Sequence, residues 1–140
     1  MIKNMKREQI AAILDAMPFE MTFVDENDLV QYANKIETRI LQFNKDEVAG
    51  RYVGSCMSAK TQPKMEKILA DFKSGKADEA EFWIRIPSLT GAGMWLDRFI
   101  ALHDKTGKYL GVLQYILNFQ TIEQIAEDKK DAPVFEFGAP

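Results

Sequence analysis

The apolar positions of this chain follow two kinds of pattern. From Ala80 to Phe119 they form three dense runs, Ala80–Ile86, Met94–His103 and Tyr109–Phe119, separated by polar connections around Ser88–Gly93 and Asp104–Gly107. Runs rich in Val, Ile, Leu, Phe, Tyr and Trp predict strands. Apolar residues occupy both parities. Met94, Leu96, Ile100 and Leu102 alternate with Trp95, Phe99 and Ala101, and Leu110, Val112 and Ile116 with Leu113, Tyr115, Leu117 and Phe119. A sheet wetted on one face alternates more cleanly. The expectation is therefore a sheet covered on both faces, by helices on one side and by the N-terminal helix or a second copy on the other.

The first half carries the helical period instead. Arg7–Met17 sets Ile10, Ile13, Leu14 and Met17 in one stripe and stops at Pro18. Gln62–Ser74 repeats the stripe with Met65, Ile68, Leu69 and Phe72. Thr61 is its expected cap, Pro63 sits in its first turn and Gly75 follows its end. Its other positions, Lys64, Glu66, Lys67, Asp71 and Lys73, make a solvated face. Glu20–Asp25 and Leu29–Tyr32 predict a hairpin around Asp25-Glu26-Asn27-Asp28. A helix is expected from Asn34, with Glu37 at capping-box spacing and Ile36, Ile40, Leu41 and Phe43 as its apolar content. A short turn at Asp46–Val48, closed by Gly50, leads to an irregular loop, Gly50–Met57. After the strands, Thr121–Glu127 predicts a short helix and Glu127–Asp131 a solvated linker. The tail carries Val134, Phe135 and Phe137, and both a docked and a frayed reading of it stand.

Two strands early, three late and helices between predict an α+β domain: a five-stranded antiparallel sheet with helices over one face and an N-terminal helix. The expected division is residues 1–17 as that helix, 18–122 as the domain and 123–140 as a tail.

Composition narrows the class of partner. A chain of 140 residues, 46% hydrophobic and 28% charged, suits a single domain with a real core. A net charge of -3 and the lack of a basic stripe give no reason to expect nucleic acid. No apolar run approaches a membrane span, and the basic start Met1–Arg7 lacks the apolar core of a signal peptide. The lone Cys56 permits neither an internal disulfide nor a paired-cysteine metal motif. A cytoplasmic location is the expectation.

Several phrases, in order, resemble the PAS domain family. They are Phe23-Val24-Asp25-Glu26-Asn27 with Val30-Gln31-Tyr32-Ala33-Asn34; Asp46-Glu47-Val48-Ala49-Gly50-Arg51; Ala80-Glu81-Phe82-Trp83-Ile84; and Gly107-Lys108-Tyr109-Leu110-Gly111-Val112-Leu113. The likeness runs from Ile10 to Ile122 and is nearest to a bacterial branch found beside hemerythrin-like sensor domains. Two departures stand out. Cys56-Met57-Ser58-Ala59 replaces the Cys-His-Pro-Pro common in that branch, which removes the obvious imidazole for a haem. Asn118-Phe119-Gln120 replaces the Asp-Ile-Thr that ends many such domains and bears on their coupling to an output helix. The resemblance implies a stand-alone sensory or ligand-binding module with a small apolar cavity. It places Cys56, Met57, Ile40, Met65, Leu69, Phe99 and Tyr115 around that cavity, with Ile36, Leu41, Phe23, Phe82, Ile84 and Leu113 as further lining.

The residues themselves offer little catalytic chemistry. His103 is the only histidine and stands at a strand end without a ligand set. Cys56 and Met57 are soft donors of the kind that ligate haem iron elsewhere, and equally a buried thiol and a gap-filling thioether. No hydrolase elbow, phosphate loop or zinc motif is present. Three functions are weighed. The first is a non-enzymatic sensor that binds a small hydrophobic ligand or cofactor and forms a homodimer through Ile10, Ile13, Leu14, Met17 and the outer sheet face. The second is a pure dimerisation module whose core is filled by its own side chains. The third is an enzyme, which needs an acid or base inside the cavity. Glu81 and Asp97 are its only candidates, each expected to face solvent or to pair with Arg85 or Arg98.

Overall fold

The computed structural model describes residues 1–34, 45–85 and 94–133. The strands are β1 (Glu20–Asp25), β2 (Val30–Ala33), β3 (Glu79–Arg85), β4 (Met94–His103) and β5 (Tyr109–Asn118). They form one antiparallel sheet in the order β2-β1-β5-β4-β3. The helices are α1 (Arg7–Asp15), α2 (Lys45–Val48), α3 (Gln62–Lys73) and α4 (Phe119–Lys129), with short 3-10 turns at Ile2–Asn4 and Val53–Cys56. Because β2 and β3 are opposite edges, the chain between them must cross the sheet. That crossing carries α2 and α3 and covers one face, here called the inner face.

Register fixes which side chains share that face. Val24, Val112 and Ala101 form one cross-strand row. Thr22, Gln114, Phe99 and Ala80 form the next, and Glu20, Ile116, Asp97 and Phe82 the one after. The stripe of α3, Met65, Ile68, Leu69 and Phe72, is buried, and it joins Val24, Val112, Phe99 and Ala101 with Val48 and Val53 in a single core.

Local chemistry sets the joints. Asp25 Oδ1 accepts from the amides of Asn27 (2.9 Å) and Leu29 (3.0 Å), and Asp28 takes a left-handed φ of 65°, so the acidic turn folds on itself. Asn34 is fully buried. Its Oδ1 accepts from the Met21 amide at 2.8 Å and its Nδ2 donates to the Phe19 carbonyl at 2.8 Å, which ties the end of β2 back to β1.

Several sequence expectations need correction. The start of α3 is held by Ser58, whose hydroxyl accepts from the Thr61 amide; the Thr61 side chain makes no cap bond. The stretch expected to be an irregular loop contains the Val53–Cys56 turn and a bridge from Tyr52 to Leu29, with Val53 and Gly54 buried. Helix α4 is longer than Thr121–Glu127 at both ends and takes in part of the expected linker. It starts directly on the last strand, since the Asn118 side chain accepts from the Thr121 amide at 3.2 Å.

The inner face is roofed over β1, β5 and much of β4, and the outer face is covered only in part. Met21 and Leu96 are buried there, while Phe23, Ile100, Leu113, Tyr115 and Leu117 stay half-buried. No residue of α1 is buried. That helix is fastened near its C-terminal end, where Tyr32 donates to Asp15 at 2.6 Å and Asn34 reaches the Leu14 carbonyl at 3.5 Å. The expected helix over 35–44, the connection at 88–93 and the tail from 134 lie outside the described residues.

Candidate functional site

Among the described residues, the roof of the inner face stops short of the β3 edge. Between α3 and β3 it leaves an open cleft of about 530 Å³. One wall comes from the helical side, with Cys56, Met57, Met65 and Ile68; Ser58, Thr61 and Lys64 complete that side. The opposite wall is Phe82 and Ile84, with Trp83 and Arg85 beside them, and the floor is Asp97, Phe99 and Gln114. Phe82 and Phe99 meet edge to face, with ring centroids 6.0 Å apart. A mostly apolar cleft with a few polar groups is the usual build of a small-molecule site.

The cleft brings together Cys56, Met57, Met65 and Phe99 of the expected set, together with Phe82 and Ile84. Leu69 is buried in the adjoining core. Tyr115 is not in the cleft. It pairs with Met21 and Arg98 on the outer face, packs on Phe19 at 5.8 Å, and its hydroxyl accepts from Arg98 at 3.1 Å. Phe23 and Leu113 pair with each other on that same outer face. The reason is parity: Phe99 pairs with Gln114, so the next residue along β5 must point away. Ile40, Ile36 and Leu41 lie outside the described residues.

Gln114 is a site residue that sequence reasoning misses, and Asp97, expected to face solvent or to pair with an arginine, lies on the floor of the cleft. Asp97 does not pair with Arg98, which forms its ion pair with Glu79 and faces outward. Instead Asp97 Oδ1 accepts from Gln114 Nε2 at 2.9 Å inside the cleft. Burial pushes the Asp97 carboxyl up to about 6, against the lowering effect of the Gln114 bond, and the Glu20 carboxylate adds to the rise. A signal for it is present in β4. The series Trp95, Asp97, Phe99, Ala101 shares one face, so a carboxylate between aromatic neighbours has to enter the core side.

Other candidates fall away from the cleft. His103 is exposed at the far end of β4, where its ring meets Tyr109 at 6.0 Å. Glu81 is exposed on β3. The donor set suits a haem poorly: the Cys56 thiol donates to the Tyr52 carbonyl at 3.8 Å, and the floor that a flat apolar macrocycle would cover carries the Asp97–Gln114 pair. Among the described residues no cluster of three metal-ligating side chains occurs, and no helix is long and apolar enough to cross a membrane.

A family model described as a PAS domain matches residues 10–120. Among solved structures, a C-terminal domain from Streptococcus mutans aligns with a TM-score of 0.74 at 25% identity, covering 86% of this chain and 90% of that one. The PAS domain of BvgS from Bordetella pertussis aligns with a TM-score of 0.62 at 11% identity, covering 89% and 96%. The phage VqmA–DPO complex aligns with a TM-score of 0.58 at 14% identity, covering 91% of this chain and 60% of that one. No curated protein matches the chain.

Proposed function

The chain belongs to the PAS domain family, and from that membership we infer that it is a sensory module that binds a small molecule and signals through a change in its self-association. The observation that carries this reading is the cleft of about 530 Å³ between α3 and the sheet. Its size fits a small organic ligand, and its mostly apolar walls, with Ser58, Thr61, Lys64 and Arg85 at their borders, surround the polar Asp97–Gln114 pair on the floor. A domain serving only as a dimerisation surface needs no such space, so the cleft favours ligand binding over a self-filled core.

A route from ligand to surface runs along β5. Gln114 faces the cleft, Tyr115 faces outward against Phe19, and Asn118 caps α4. An occupant that shifts β5 therefore bears on the outer face and on α4 together. The half-buried outer face and the unburied stripe Ile10, Ile13, Leu14 and Met17 would supply the association surface.

Native mass spectrometry of the purified protein, with a thermal-shift screen of small organic ligands, tests the proposal. A retained or added molecule that raises the melting temperature, and loses that effect when Phe99 or Met65 is changed to a bulkier or polar residue, is the expected result. A screen in which no compound shifts the transition would defeat it.

A further inference from the structure

The floor of the cleft says more about the occupant than its volume does. Asp97 is the acidic group on that floor, and among the described residues its one bonded partner is the neutral Gln114. The nearest cation in sequence, Arg98, is on the other face with Glu79 and Tyr115. Asp97 is thus a largely desolvated carboxylate with no cation bonded to it, set beside the rings of Phe82 and Phe99. Such rings present negative faces, which attract a cation as the carboxylate does. The two cations that border the cleft, Lys64 and Arg85, are exposed, where water and salt weaken their pull.

Resting on the ligand-binding reading above, we propose that the cleft takes a small organic cation: a protonated amine on an apolar body, with its nitrogen on Asp97 and its body between Phe82, Phe99 and Met65. The amine supplies the partner that the protein withholds from Asp97. A charge-assisted hydrogen bond in such a setting is stronger than a neutral one. The apolar walls then select for the body.

Binding of this kind depends on pH. The ligand takes the ionised carboxyl, and burial pushes that carboxyl up to about 6. Below that value, affinity should fall about tenfold for each pH unit; above it, affinity levels off. The charged and titratable groups around Asp97 are Glu20 from β1, Lys64 from α3, Arg85 from β3 and Cys56 from the 3-10 turn. The Asp97→Asn variant separates its titration from theirs.

The test uses three probes with one kind of apolar body: 2-phenylethylamine, 3-phenylpropanoate and ethylbenzene. Each is titrated against the whole chain by Trp fluorescence and by thermal shift, since Trp83 borders the cleft. The amine is expected to bind about tenfold or more tightly than the other two. Asp97→Asn is expected to remove that preference and the pH dependence, while ethylbenzene, which makes no use of the carboxyl, loses no affinity. Equal or tighter binding of 3-phenylpropanoate, or an amine affinity indifferent to Asp97→Asn, overturns the cation assignment and leaves ligand binding standing. Failure of all three probes to bind also overturns it, and the wider ligand screen then decides the sensory reading by itself.

Discussion

At the scale of single residues, Asp97 is the side chain that works against the fold. Its carboxyl titrates at about 6 in the folded chain against an ordinary 3.8, because burial disfavours its charge. Between those values the folded chain holds a proton that the unfolded chain has released. The contribution of Asp97 to stability therefore falls as pH rises through that window and is flat above it. Asn keeps an acceptor for Gln114 and has no charge to bury. Asp97→Asn should thus be more stable than the native chain above pH 7, by an upper figure of about 3 kcal/mol, and equal to it below about pH 3. Urea denaturation of both proteins at several pH values measures the difference. Taking the difference matters, because Asp25, Asp71 and Asp104 have lowered carboxyl values and pull the absolute curve the other way. A stability gap that does not change with pH would show that Asp97 is wet. A group that costs stability in a cleft is better explained by what it binds than by what it holds together.

At the scale of elements, the strands and main helices can be read from the sequence, and the two faces of the sheet cannot. The periods give β4 its observed bounds and place α1, α3 and the hairpin strands to within two residues. The side on which Tyr115 points depends on pairing register, which no period within one strand reveals. The Val53–Cys56 turn is invisible to local pattern because partners far along the chain hold it, such as the Asp28 carbonyl that accepts from the Val53 amide at 2.9 Å. Register also makes a prediction at Gly111, which pairs with Asp25 of β1 and has a φ of 136°. A Cβ there would stand 2.1 Å from the Val24 carbonyl oxygen, a backbone atom that cannot rotate aside. Gly111→Ala should cost on the order of 2–4 kcal/mol through strain and a forced shift of β1 against β5. Gly107→Ala, with a φ of 86° but open space around it, should cost less. Thermal denaturation of the two variants checks the order, and a reversed order would mean that β1 and β5 are not paired as described.

At the scale of the whole molecule, the surface left unfinished is apolar. The outer face shows the row Phe23, Leu113, Ile100 half-buried, and α1 presents Ile13 at 45% exposure without a covering layer. Burying such a patch against a second copy gains roughly 25 cal/mol for each Å² of apolar surface removed from water. Helix α1 is joined to the sheet close to Asn34 and Tyr32, at the β2 edge, so a partner can engage it without unfolding the core. If this is the association surface, Ile13→Asp places a charge in it at a residue that the monomer leaves 45% exposed. Sedimentation velocity should then show the native chain as a dimer and the variant as a monomer, with its dissociation constant raised about tenfold or more. Circular dichroism and melting of the variant at low concentration should stay unchanged. A native chain that remains monomeric at high concentration would remove self-association from the proposed mechanism. Ligand binding at Asp97 is tested separately in either case, because none of Ile13, Phe23, Ile100 and Leu113 lines the cleft.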